Sequence, residues 1–373
     1  MSAEGPPQGA NSSPSGGSER SERGGPSNPG AKLIAPANPI DAAALAAWLR
    51  ANVDVDAGHL VVEQYQGGQS NPTYRVTAGQ RRYVLRRKPS GKLLPSAHAV
   101  DREYRVMSAL ATTGVPVAKM CAMCEDDAVI GTAFYVMEYV EGRILWDPTL
   151  PGMTPAQRAA HYAELNRVIA TLHLVDYPAI GLGDFGRTGN YIERQVARWS
   201  KQYQAAGADR IEAMDRLIEW LPSHIPDGDE TSIVHGDYRL DNVIFHPSEP
   251  RILAVLDWEL STLGHPLSDF AYQVMAWRLS PQEFRGLKGA DLESLGIPSE
   301  AEYVAAYCRR TGRTGIPHFE FYLIFNMFRI AAILHGVLSR AQQGNAASAD
   351  AIAMGSRARP VADVALQMAR SLA

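Results

Sequence analysis

The period of the apolar positions changes several times along this chain, and each change marks an element. "IDAAALAAWLRAN", starting near residue 38, joins good helix formers to Asp41 as an N-cap and predicts a short helix. "LVVEQYQGGQSNPTYRVTAGQRRYVLRRKP" reads instead as three short strands broken by glycine-containing turns at Gly67, Gly68 and Gly79. Helical spacing returns over 96–113, where Val100, Tyr104, Met107, Leu110 and Ala111 share a face and Gly114 is the stop. Two further strands, near 117–124 and 133–140, flank the acidic turn "EDDAVIG".

The second part of the chain is mainly helical. Thr154, Pro155 and Gln157 stand as N-cap, first helical residue and N3 of a capping box, opening a helix that runs to about Asp176. More helices fit 190–205, 209–221, 266–277, 299–311, 318–342 and 350–372, with short strands around 231–235, 242–246 and 252–257. The prediction is an α+β chain: a small, mostly antiparallel sheet carrying one helix, then a larger helical part. Gly, Ser and Pro dominate the start, so residues 1–37 read as a disordered tail, followed by lobes at 38–141 and 142–373.

Composition narrows the function classes. At 373 residues and 46% hydrophobic, the chain can bury a sizeable core. A net charge of −4 provides no basic field for nucleic acid. Cys121, Cys124 and Cys308 are too few for a disulfide framework, which points to a reducing, cytoplasmic setting. Cys121 and Cys124 form a lone C-x-x-C inside an expected strand and read as structural. The apolar stretch 322–338 is interrupted by Asn326, Arg329 and His335, so it reads as a buried helix rather than a membrane span, and no membrane partner is expected.

Candidate chemistry concentrates in "VHGDYRLDNVIF", residues 234–245, where a His, two Asp, an Arg and an Asn lie between apolar runs. Such density is costly to half-bury unless each group has a partner or a ligand. Asp237 and Asn242 are five apart, and Asp257 ends the strand "RILAVLD". Brought together, two carboxylates and a carboxamide make an oxygen-rich site of the kind magnesium prefers. With Arg239 beside it, the set has what phosphoryl transfer needs: charge neutralisation and a group to position the attacking hydroxyl.

"HGDYRLDN" resembles the catalytic-loop pattern H-x-D-x-x-x-x-N of the aminoglycoside phosphotransferase and choline kinase families, relatives of protein kinases. "GGQSNPTYRV", "YVMEYVEG" and "LDWELSTLGHPLSDFAY" further resemble the kinase-like domain fused to some acyl-CoA dehydrogenases. The likeness spans roughly residues 38–370 and implies a protein kinase-like two-lobed fold. It also implies roles: Asp237 orients the acceptor hydroxyl, Arg239 meets the transferring phosphoryl group, and Asn242 and Asp257 hold magnesium against ATP. His235 would brace the loop and Asp269 would support it. Gly67, Gly68, Ser70 and Asn71 would cover the phosphates, and the backbone of Glu138 to Val140 would meet adenine. Glu103 would pair with the phosphate-binding cation. There the sequence departs from the pattern, because Arg86 stands where protein kinases carry a lysine.

The function expected is an ATP- and magnesium-dependent kinase acting on the hydroxyl of a small molecule. Analogy with the fused relatives suggests a hydroxyacyl-CoA or hydroxy acid. The alternatives are an aminoglycoside or amino alcohol as acceptor, or a catalytically silent nucleotide-binding module, which Arg86 would favour.

Overall fold

Residues Thr73–Ala78 alternate between buried and half-buried, as a strand with one face on a core must. In the computed structural model, which describes residues 33–36, 40–53, 55, 59–65, 71–89, 99–343 and 350–372, this strand lies inside a six-stranded sheet. The order is Leu33–Ile34, Leu60–Tyr65, Thr73–Ala78, Arg81–Arg87, Phe134–Glu138, Met120–Cys124, and every neighbouring pair is antiparallel. Gly79, at φ 58°, makes the tight turn between the third and fourth strands.

The two-residue period sorts side chains between two cores. Tyr83, Leu85, Phe134 and Val136 face the Ala42–Asn52 helix, where Leu45 and Leu49 are fully buried and Trp48 meets Phe134 edge-on at 4.8 Å. Val84, Tyr135 and Met137 face the other way, onto Val106, Met107 and Leu110 of the Val100–Leu110 helix. The Asp41 carboxylate accepts from the amides of Ala43 and Ala44, the cap that the sequence predicts.

After Glu138 the chain leaves the sheet, and it is at once stitched to the helical part. Arg143 and Phe245 exchange backbone hydrogen bonds of 2.8 Å in both directions. Gly142 lies so close to this bridge that a Cβ there would sit 2.3 Å from the Phe245 carbonyl oxygen, so no other residue fits.

The Pro155–His173 helix opens with the expected capping box between Thr154 and Gln157. Phe319–Gln342 is the spine of the helical part. Among the described residues it is the one helix long and apolar enough to cross a membrane, yet 78% of its most apolar window is buried inside the protein. Each of its polar interruptions has a partner. Asn326 donates to the Ser268 carbonyl at 2.8 Å, Arg329 to the Gly236 carbonyl, and His335 Nε2 lies 2.9 Å from the Asp209 carbonyl. Its buried Phe325, Met327 and Phe328 each contribute about 1.5–3 kcal/mol through removal from water.

Four details depart from the sequence-based expectation. Leu33–Ile34, assigned to the disordered tail, pairs as an edge strand with Tyr65 and Gln64; two residues are too few to show a period. The "EDDAVIG" turn contains the short helix Asp127–Ile130, capped by Asp126. Thr262–Gly264 is a strand that pairs with Ser232–Val234. The helix expected over 350–372 is two, Ala351–Gly355 and Ala358–Ser371. Gly355 packs against the backbone of Leu338, where a Cβ would come within 2.7 Å.

Candidate active site

Residues 235–242 link the strand Ser232–Val234 to the strand Val243–Phe245, and the fold holds this loop from below. Asp269, in the first turn of the Pro266–Val274 helix, receives the His235 amide at 2.7 Å and the Gly236 amide at 2.8 Å. His173 Nε2 lies 3.2 Å from the same carboxylate. Burial acts to raise the Asp269 pKa; the hydrogen bond from His173 and the neighbouring imidazoles outweigh it and hold the carboxyl below its usual range. Gly236, at φ 84°, is pressed against the Leu260 carbonyl, 2.9 Å from where a Cβ would stand.

His235 is a brace. Its Nδ1 accepts the Asp237 amide at 3.2 Å, which leaves Nε2 to donate to the Leu256 carbonyl at 2.8 Å. The ring is fully buried and packs edge-on against Trp258 at 4.8 Å.

The two oxygens of Asp237 are held from opposite sides. Asn242 Nδ2 donates to Oδ2 at 2.8 Å, and the Tyr272 hydroxyl donates to Oδ1. Arg239 Nε lies 3.5 Å from Asp237 Oδ1 and 3.2 Å from Asp241 Oδ1. Burial pulls the Arg239 pKa down, but the Asp237 charge and its neighbours push it higher, so the guanidinium stays charged. The Tyr272 pKa is raised by burial and by Asp237, so its hydroxyl keeps the proton it donates.

Strand pairing brings Asp257 to the same place. The Leu256 amide donates to the Asn242 carbonyl at 2.8 Å, which sets the next residue beside the loop. Asp257 then adopts φ 63° and ψ 60°, a left-handed conformation that costs a non-glycine residue roughly 1–3 kcal/mol and persists only when its surroundings over-determine it.

Arg86 crosses from the sheet to this corner. Its Nη2 donates to Asp257 Oδ1 at 2.9 Å and to Glu259 Oε2 at 3.1 Å, while its Nε lies 3.3 Å from Glu103 Oε2. Burial lowers the Arg86 pKa, and the Glu103 charge with the other carboxylates more than reverses that. Glu103 is buried as well and accepts from Asn71 Nδ2 at 2.7 Å and Tyr135 Oη at 2.9 Å. Its pKa is raised because burial outweighs Arg86 and these donors.

Thus Asp237, Arg239, Asn242, Asp257, Arg86 and Glu103 come together. Asn71 joins them through Glu103. Gly67, Gly68 and Ser70 lie outside the described residues. Glu138 ends its strand with an exposed carboxylate 3.0 Å from Lys119 Nζ. The Tyr139 amide still bonds to the Arg82 carbonyl at 3.2 Å, so Val140 lies just beyond the sheet pairing. Sequence reasoning missed Tyr272 and Glu259. Tyr272 stands three residues after Asp269, one helical turn along, and that spacing was a usable signal.

Among the described residues no group of three His, Cys, Asp or Glu side chains is disposed to hold a metal by itself. The oxygen donors of Asn242 and Asp257 fit magnesium, which takes one or two protein ligands and completes its shell with water and phosphate.

Comparison with known proteins decides the family. The model of the phosphotransferase enzyme family matches residues 61–321. The chain belongs to that family. It is a phosphotransferase of kinase-like fold. Acyl-CoA dehydrogenase family member 10 of Mus musculus is 50% identical over 315 residues, 84% of this chain and 29% of that protein. Acyl-CoA dehydrogenase family member 11 of Homo sapiens is 42% identical over 343 residues, 90% of this chain and 44% of that protein. The chain therefore spans less than half the length of these curated relatives. A Ralstonia eutropha protein described provisionally as an aminoglycoside phosphotransferase superposes with TM-score 0.82 at 56% identity, covering 89% of this chain and 99% of that one. Choline kinase from Cryptosporidium parvum, at 13% identity and TM-score 0.56, covers 89% of this chain and 96% of that one and shares the fold.

Proposed function

We propose that this phosphotransferase moves the γ-phosphoryl group of ATP to the hydroxyl of a small molecule, with magnesium, and that the acceptor is a hydroxyacyl-CoA or a hydroxy acid. The observation that carries the reading is the loop 235–242, where a braced Asp237, a flanking Arg239 and the Asn242–Asp257 pair converge. The acyl-CoA dehydrogenase relatives support the acceptor class by analogy.

Each residue then has a task. Asp237 uses the lone pairs that Tyr272 and Asn242 leave free to orient the acceptor hydroxyl and take its proton as the O–P bond forms. Because both donors already fix the carboxylate, little reorganisation accompanies the reaction. Arg239 supplies fixed positive charge to the transferring group. The Asn242 amide nitrogen is engaged by Asp237, so its carbonyl oxygen, with Asp257, would hold magnesium. Bound there, the metal would neutralise charge on the phosphates. Arg86, oriented by Glu103, would meet the nucleotide phosphates from the sheet side. Glu138 and Val140 would present backbone to adenine, and Gly67, Gly68, Ser70 and Asn71 would cover the phosphates.

A second reading has one observation in its favour: Arg86 replaces a lysine and grips Asp257 directly, as a silent nucleotide-binding module would tolerate. Magnesium-dependent transfer of labelled γ-phosphate from ATP to hydroxyacyl-CoAs, hydroxy acids, amino alcohols and aminoglycosides separates the two. Transfer to one class, abolished by Asp237→Asn with nucleotide still bound, is the expected result. Nucleotide binding without transfer to any class would favour the silent module.

A further inference from the structure

Beside Arg239 and Tyr272 the helical part borders a half-open cavity of about 70 Å³, walled by Trp146, Trp277 and Phe284 as well as Tyr272. Arg239 and Arg285 share one carboxylate, Asp241, so a group held by Arg285 lies close to the guanidinium that flanks Asp237. The charged lining of the cavity is two guanidiniums, Arg239 and Arg285, and one carboxylate, Asp241. Asp241 is buried and already shared: Oδ1 faces Arg239 Nε at 3.2 Å, and Oδ2 accepts from Arg285 Nη1. Arg239 is faced by Asp237 as well as Asp241, so among the described lining residues no carboxylate is left for a cationic acceptor, while Arg285 has N–H groups that Asp241 does not take.

Arg285 is set in place by its backbone. A capping box between Ser280 and Glu283 fixes the turn Pro281–Phe284, and Arg285 follows at φ 42°, left-handed for a non-glycine residue. The next residue is forced to be glycine, because a Cβ at Gly286 would collide with the Leu279 carbonyl at 1.7 Å. Amides of Leu287 and Lys288 then bond to the carbonyls of Ala276 and Leu279 at 2.7 and 2.9 Å. The strained turn sends the side chain back over the cavity, where the guanidinium carbon lies 5.6 Å from the centre of the half-exposed Trp146 ring. Only Nη1 is engaged by Asp241, and about a third of the side chain remains exposed. The remaining N–H groups make a fork suited to a planar anion.

We propose that Arg285 is a specificity-determining residue, which selects acceptors bearing an anionic group a short apolar span from the hydroxyl. The proposal rests on the kinase reading for the identity of the hydroxyl-bearing ligand, but not for the selection of charge; of the two acceptor classes proposed above it singles out the hydroxy acid, because the thioester of a hydroxyacyl-CoA has lost the acyl carboxylate. Three four-carbon alcohols test it: 3-hydroxybutyrate, its neutral amide and the equally long amino alcohol. Equilibrium binding is read by quenching of the Trp146 and Trp277 fluorescence, and transfer by labelled ATP.

The wild type binds the acid at least about tenfold more tightly than the amide, and the amino alcohol least. In R285Q the acid-to-amide ratio falls toward one, a loss of roughly 10- to 100-fold for a charge-assisted hydrogen bond, seen in KM more than in kcat. Because R285Q also strips Asp241 of a partner, the double variant Asp241→Asn with R285Q serves as control. The same loss of discrimination in it, with an unchanged thermal midpoint, supports the selection role. Equal wild-type affinity for acid and amide, preference for the amino alcohol, or discrimination that survives R285Q would overturn the proposal. Charge-selective binding without phosphate transfer would leave Arg285's role standing and sink the kinase reading alone.

Discussion

Replacing Asp269 by Asn tests whether the loop 235–242 is held from below by a single carboxylate. Its two oxygens receive two backbone amides, His235 at 2.7 Å and Gly236 at 2.8 Å, and have His173 Nε2 at 3.2 Å. Asparagine keeps one acceptor oxygen and turns an NH₂ toward donors, so at least one buried amide loses its partner. An orphaned buried donor costs about 1–3 kcal/mol, and loss of charge assistance to the others adds to it. The expected destabilisation is about 3 kcal/mol. Denaturant titrations of the two proteins, compared at equal slope, read it directly. The pH dependence has a defined sign. The folded pKa of Asp269 is depressed, so the stability it contributes is present above the unfolded value near ~3.9 and is lost as pH falls through the folded value. The wild type therefore loses more stability on acidification than Asp269→Asn. A variant within about 0.5 kcal/mol of the wild type, with the same acid slope, would refute the reasoning.

Two other substitutions probe the site. Tyr272→Phe removes the hydroxyl that holds Asp237 Oδ1 and is expected to lower kcat about tenfold with little change in KM, the worth of one hydrogen bond to a charged group; an unaltered kcat would make Tyr272 merely structural. Arg86→Ala leaves Glu103 buried beside no countercharge and is expected to cost about 3–5 kcal/mol, with Glu103→Gln in the same chain recovering much of it; additive losses in that cycle would show that the two do not interact.

Much of this was legible before any coordinates. Asp41, Thr154 and Gln157 announced their helices because capping is local chemistry, complete within four residues. The loop 235–242 declared itself for the same reason, since its polar groups are contiguous. What stayed hidden is long in sequence. Arg86 meets Asp257 across 171 residues, and Arg285 meets Asp241 across 44, and no period or motif records such pairs. Leu33–Ile34 was hidden by its brevity, and the break after Gly355 by its cause, the backbone of another helix.

The stitch between Arg143 and Phe245 has a mechanical consequence. Phe245 ends the strand that follows Asn242 directly, so the sheet is anchored three residues beyond the 235–242 loop. If the sheet swings, the pivot lies there. The lever arm grows with distance from it: strands at the far edge of the sheet sweep widely, while Asp237 and Asn242, close to the axis, hardly travel. Admitting or releasing a nucleotide would then leave the alignment of these two side chains intact, and each turnover would start from a loop that never had to be reassembled.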